Sequence, residues 1–164
     1  MRKIISLSFL AAVIFFTSCK KEDFNPGTTN LQKTSNNWWV TLSFDGTDIF
    51  GTSVLLTTYN TADDKDSIWV DDLGNIDGFK CKAKVNTTNS TFEANKSNNV
   101  YYDGVNYLSK HIDIEDGKIL HMAGHSKSGV ITDSINMKIT FSDDPGDQYV
   151  IAGVARTGLV EDDY

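Results

Sequence analysis

Short runs of alternating apolar and polar residues, separated by acidic turns, constrain this chain more than any other feature. The segment 57–72, TTYNTADDKDSIWVDD, shows the unit: a β-branched and aromatic run, a polar acidic stretch, and a second apolar run. The same unit recurs along the chain. It predicts strands at 38–44, 52–59, 67–70, 80–85, 91–94, 100–102, 105–108, 110–114, 118–123, 134–141 and 149–155. Turns are predicted at Asp45-Gly46, Asp77-Gly78, Asp103-Gly104, Asp116-Gly117 and Asp144-Pro145-Gly146.

The strand pattern predicts an all-β fold in which one face of the sheet is exposed to solvent and the other faces the interior. No segment keeps a helical period over three turns, so a sandwich or a closed antiparallel barrel remains. We favour the barrel because closure removes the free edges that a lone sheet would expose. About eight strands in an up-and-down barrel leave an interior that side chains fill or that holds one small ligand.

The first residues predict export and a lipid anchor. Residues 1–18 have a short basic region, an apolar run and small residues before Cys19, which is the pattern of a lipoprotein signal peptide. Phe16 departs from the usual Leu three positions before the cysteine, which leaves an uncleaved anchor or an ordinary signal peptide as alternatives. We expect Cys19 to carry acyl chains such as palmitate, since two or more chains anchor a protein stably. Residues 19–37 read as a flexible polar tether and 38–164 as the barrel domain.

The net charge of the chain limits the classes of partner it can bind and the way it can attach to a membrane. Loss of Arg2 and Lys3 with the signal peptide takes the formal charge from −7 to −9, which argues against nucleic-acid binding and against adhesion to anionic headgroups. Membrane attachment therefore depends on the lipid at Cys19. Lys21-Glu22-Asp23 resembles a surface-export signal of some Gram-negative lipoproteins, so we expect a surface-exposed position on the outer membrane.

Candidate catalytic and metal-binding groups are sparse. His121 and His125 would lie ~13 Å apart on a strand at ~3.4 Å per residue, too far apart to share a metal ion. The acidic turns lack the spacing of a calcium loop, so neither a metal nor a cofactor is expected. Ser126 beside His125 is a weak hydrolase signal, because no GxSxG motif is present.

Several segments together resemble one family. They are 58–62 (TYNTA), 69–72 (WVDD), 79–80 (FK) and the C-terminal 155–164 (ARTGLVEDDY). At these intervals the chain resembles the lipid-binding putative hydrolases, a family of Gram-negative lipoproteins, from about Trp38 to Tyr164. The resemblance implies a lipocalin-like barrel, and it supplies no catalytic motif. It also implies that Trp38 or Trp39 packs against Arg156 to close one end of the barrel, where a cation–π contact would stabilise the closure.

These observations predict a lipoprotein whose barrel binds a small apolar or amphipathic ligand. The inward-facing residues that would line the pocket are Leu42, Phe44, Leu56, Phe79, Phe92, Met122, Met137 and Phe141. The same residues are equally consistent with a filled core. Two alternatives stay open: a hydrolase with an unknown substrate, and an accessory module of a surface complex.

Overall fold

A computed structural model describes residues 29–63 and 65–164. The predicted signal peptide (1–18), the lipidation site at Cys19 and the export signal lie outside the described residues. Within the described part, no helix has the length and apolarity needed to cross a bilayer.

Nine strands and two short 3-10 helices make up the described chain. The strands are β1 (Asn36–Phe44), β2 (Thr47–Asp48), β3 (Val54–Asn60), β4 (Ser67–Asp71), β5 (Lys80–Asn86), β6 (Thr91–Asn98), β7 (His111–His125), β8 (Ile131–Phe141) and β9 (Asp144–Ala155). The 3-10 helices are Gln32–Thr34, before β1, and Val160–Asp162, after β9.

The strands form a closed barrel. Each of β3 to β8 pairs antiparallel with the next strand, and β1 pairs with β3. A β1–β9 pairing from Trp38↔Ala155 to Ser43↔Val150 closes the sheet. β2 adds a short ninth strand to the end of β1. The predicted all-β, antiparallel up-and-down barrel of about eight strands is confirmed.

The interior of the barrel is packed with side chains. Strands alternate as expected: in β5, Cys81, Ala83 and Val85 are buried while the lysines between them point outward. Met137 of β8 is fully buried. The other fully buried large side chains are Trp38, Phe79, Leu31, Leu56, Ile68, Ile112, Ile114, Ile119, Ile135, Ile139 and Ile151.

The barrel has two ends, which we name the mouth and the base. The mouth is formed by residues 45–53, 72–79, 99–110 and 142–148, which connect neighbouring strands or begin β9. The base is formed by residues 29–35, 61–66, 87–90, 126–130 and 156–164. The described chain therefore enters at the base.

Two predicted hairpins are wrong. Asp116-Gly117 lies inside the continuous strand β7, where a register shift between Glu115 and Lys118 absorbs the positive φ of Asp116 (53°) as a bulge. A Cβ on Gly117 would lie 2.3 Å from the carbonyl oxygen of Phe92, so glycine permits this close approach. Residues 99–110 form one long mouth connection instead of two strands around Asp103-Gly104.

Of two other predicted turns, one is present at the predicted position and the other is displaced. Asp45-Gly46 forms a tight turn between β1 and β2 with positive φ at both residues, as its sequence predicts. Pro145 and Gly146 instead belong to the start of β9, and the preceding turn is at Ser142 and Asp143.

Ordered packing begins before Trp38, within the last residues of the segment 19–37 that the sequence predicts as a tether. Leu31 is fully buried in the core, and the Thr34 carbonyl accepts a hydrogen bond from Thr58 Oγ1 at 2.7 Å. Trp38 Nε1 donates to the same hydroxyl at 2.9 Å. One buried leucine and these hydrogen bonds hold the end of a polar segment against the base. Residues 19–28 lie outside the described part.

Candidate functional site

Asp72 shapes the mouth connection 72–79. Its carboxylate is fully buried, and each oxygen accepts backbone N–H groups from the residues that follow it. The donors are Gly74, Ile76, Asp77, Gly78 and Phe79, at 2.8–3.0 Å. An acceptor with two charged oxygens satisfies all these donors at once, which fixes the course of the loop.

Asn99 joins the next mouth connection to this loop. Its side-chain amide donates to the carbonyl oxygens of Gly78 and Ser109 at 3.0 and 2.9 Å, while its oxygen accepts from the backbone of Lys80 and Tyr101. The ring of Tyr107 lies on Gly78, where a Cβ would come within 1.9 Å of that ring. The two connections are therefore one packed unit.

A cavity of about 300 Å³ opens at the mouth. Its apolar walls come from Leu42, Ile49, Phe50, Ile76 and Phe141. Tyr149 and three carboxylates, those of Asp77, Asp143 and Asp144, complete the lining. Apolar walls with a few convergent polar groups are typical of small-ligand sites, and this volume is at the lower end of their range.

The three carboxylates differ in their hydrogen bonding. Asp144 accepts from the Tyr149 hydroxyl at 2.6 Å, and that bond is the main reason that the pKa of Tyr149 rises to about 12. Asp143 accepts from the fully buried hydroxyl of Ser109. Asp77 keeps one buried oxygen, Oδ2, without a hydrogen-bond partner among the described residues. Burial is the main cause that raises the pKa of Asp77. Hydrogen bonding with the Ser109 hydroxyl opposes that rise, and the other mouth carboxylates add to it.

The predicted ligand-binding residues do not form one group. Leu42 and Phe141 line the mouth cavity. Phe44 and Phe79 do not line the cavity but pack against aromatic rings that do. The Phe44 and Tyr149 ring centroids are 5.2 Å apart, and those of Phe79 and Phe141 are 5.8 Å apart.

The remaining four predicted residues lie elsewhere. Leu56 and Met137 are fully buried in the packed core. Phe92 borders an outer groove of about 600 Å³ along β5–β7, which is lined mainly by polar and charged side chains such as Lys84 and Glu93. Met122 is 67% exposed, so the inward orientation predicted for it is wrong. It has a positive φ of 55° where the β7–β8 register shifts, which breaks the alternation.

The predicted barrel-closing residues divide between the base and the outer wall. Trp38 is buried at the base through its hydrogen bond to Thr58. The Arg156 guanidinium lies 5.8 Å from the Trp39 ring centroid and pairs with Asp163 at 2.7–2.8 Å. That stack holds the C-terminal segment against Trp39 on the wall, apart from the buried Trp38.

The hydrolase candidates are His125, the last residue of β7, and Ser126, and within the described residues no hydrogen bond joins their side chains. Ser126 Oγ lies 3.2 Å from Ser128 Oγ and accepts from the backbone N–H of Val130. His121 pairs with Asp133 at 3.1 Å on the exposed wall, away from the mouth cavity. Across residues 29–63 and 65–164, no group of three or more His, Cys, Asp or Glu is arranged to hold a metal ion.

Comparison with known families decides the relationship. Residues 23–160 match the family model of the lipid-binding putative hydrolases, which is well over half of the chain. The chain belongs to this family. The lipid-binding putative hydrolase match begins before Trp38, in agreement with the packing of Leu31. No curated protein matches the chain. Family membership and the barrel fold together support a lipid-binding role.

The sequence pattern missed several residues of the mouth site. Asp77 and Asp144 were expected only as turn residues, and Ile76 lies in a loop without periodicity. The signal that could have found them is the spacing of Asp72 from the acidic turn that follows it, because a buried carboxylate can fold the loop back over the barrel.

Proposed function

We propose that this protein is a lipid-anchored outer-membrane lipoprotein whose barrel mouth binds one small amphipathic, lipid-like molecule. The observation that carries the proposal is the mouth cavity, whose lining divides into apolar side chains and a polar set of three carboxylates and a tyrosine. A molecule with an apolar part and a polar end matches that division.

The packed interior limits how such a ligand is held. Met137 and Leu56 fill the centre of the barrel, so the binding volume is the mouth cavity above Phe141. Ile49 is 47% exposed and Phe50 is 38% exposed at the rim. These two side chains can cover the part of a longer apolar chain that does not fit within the cavity of about 300 Å³.

A cavity-filling substitution tests the site. Ile76→Trp places an indole at the cavity wall, whereas Val54→Trp places the same side chain at another partly buried position outside the cavity. We expect monolauroylglycerol, a neutral single-chain lipid, to shift backbone NMR signals of the mouth in the wild type. The shifts should vanish in Ile76→Trp and persist in Val54→Trp. Shifts confined to the outer groove near Lys84, or binding unaffected by Ile76→Trp, would contradict the proposal.

One observation favours a hydrolytic role as the second candidate. Asp77 combines a raised pKa with a position on a cavity wall, which is a common property of catalytic carboxyls. If Asp77 is catalytic, purified protein hydrolyses a short-chain ester such as monobutyrin, and Asp77→Asn abolishes that hydrolysis. A rate equal to that of the buffer would remove this candidate.

A further inference from the structure

The mouth carries a strong imbalance of charge. Its four segments (45–53, 72–79, 99–110 and 142–148) contain eight aspartates and one basic residue, Lys110. The ion pairs that the described chain forms with Lys or Arg involve Asp71, Asp116 and Asp163, all outside these segments. The mouth therefore presents a negative potential to any approaching ligand.

Several of the mouth carboxylates already accept hydrogen bonds from nearby groups of the protein. Asp72 accepts five backbone N–H groups, and Asp103 accepts three more from its own loop. Asp143 and Asp144 each accept a hydroxyl, from Ser109 and Tyr149. Asp77 differs, because its buried Oδ2 has no partner within the described part of the chain and its side chain lines the cavity.

An apolar cavity with a carboxylate at its wall selects the charge of its ligand. An anionic head would add a further negative charge beside Asp77, Asp143 and Asp144 in a partly desolvated site, which is unfavourable. An ammonium head would place a positive charge beside the Asp77 side chain and reduce the repulsion among the carboxylates.

We propose that the mouth selects single-chain amphiphiles with an ammonium head, which sits against Asp77 while the chain lies on Leu42, Phe50 and Phe141. This inference rests on the proposed function, because it specifies the ligand of the same cavity. Fatty-acid anions are then the wrong class of ligand, although their chains would fit the same walls.

Three probes with the same twelve-carbon chain separate head charge from chain burial: dodecylammonium, monolauroylglycerol and dodecanoate, each below its micelle concentration and measured by calorimetry. We expect dodecylammonium to bind on the order of tenfold more tightly than dodecanoate at about 0.01 M ionic strength. The preference should shrink at about 0.15 M, where screening is stronger.

Two variants that each remove one negative charge from the mouth test whether Asp77 causes the preference for dodecylammonium. Asp77→Asn should reduce it severalfold, whereas Asp103→Asn removes the same charge from an exposed part of the mouth and should leave most of it. If both variants weaken the preference equally, general attraction to an acidic surface explains it and the role of Asp77 is overturned.

The two proposals fail in different ways. Dodecanoate binding as tightly as dodecylammonium, with both lost in Ile76→Trp, would overturn the charge selection and leave the mouth as the lipid site. Absence of binding for all three probes would overturn the proposed function itself.

Discussion

Replacement of Asp72 tests whether one carboxylate organises the mouth. Asn has nearly the same shape as Asp, but only one of its two polar atoms accepts hydrogen bonds. In the wild type, Oδ2 accepts three backbone N–H groups and Oδ1 accepts two. In its better orientation, Asn therefore leaves two N–H donors facing an NH₂ group, and Ala leaves all five without their acceptor.

The expected loss of stability follows from this count. Hydrogen bonds to charged groups contribute roughly 1.5–3 kcal/mol each, so two lost bonds cost about 3 kcal/mol. We expect Asp72→Asn to lower the free energy of unfolding by about that amount. Asp72→Ala should lower it by about 4 kcal/mol, which is less than five lost bonds imply because the loop can relax towards water.

Urea unfolding followed by tryptophan fluorescence measures both variants. Asp103→Asn is the matched control, because Asp103 caps an exposed loop with the same kind of bonds. Hydrogen exchange should also accelerate in Asp72→Asn at the amides of Gly74 and Phe79, the two donors that lose their acceptor. A loss no larger than that of Asp103→Asn, with those amides still protected, would refute the reasoning.

Three further predictions follow from the core, the titrating groups and the anchor. Met137→Trp overpacks a filled barrel and should cost roughly 1–3 kcal/mol in a denaturant melt; an unchanged melt would mean that the interior has room. Asp77→Asn should stabilise the protein at neutral pH. Its advantage should shrink as pH falls through the raised folded-state pKa of Asp77, where the wild-type carboxyl binds its proton, and a pH-independent difference would contradict this. Cys19→Ala should leave the domain folded but move it out of the membrane fraction, and a variant that stays with the outer membrane would argue against the lipid anchor.

Alternation predicted the barrel because a residue's neighbours in the strand decide which face it occupies. The prediction held for Ile135, Met137 and Ile139 in β8, where the register with β9 is regular. It failed for Met122, where a register shift with β8 turns the side chain outward. A bulge depends on the partner strand, and a single strand's sequence does not reveal its partner.

The Asp-Gly turns show the same limit. Asp45-Gly46 and Asp116-Gly117 have the same residue pair, yet the first reverses the chain and the second is a bulge within β7. The pair determines a local positive φ in both cases. Long-range pairing, and the fit of Gly117 against Phe92, decides whether the chain turns.

The candidate site was less predictable than the fold. Leu42 and Phe141 follow from alternation, since they are the last inward residues of their strands. Asp77 becomes a site residue only because the N–H groups of its loop bind Asp72, which folds that loop over the barrel. Such a contact depends on the geometry of one carboxylate, and hydrophobic patterning carries no information about it.

The entry of the chain at the base has a consequence for how the molecule would work at a membrane. β1 runs for nine residues from the base to the mouth, about 30 Å at ~3.4 Å per residue. The ten peptide units from Cys19 to residue 29 span at most about 36 Å when fully extended. A barrel held by Cys19 would thus be tethered at its base, the end opposite the cavity. The tether would then leave the mouth uncovered, and a ligand could reach the cavity without displacing the attachment point.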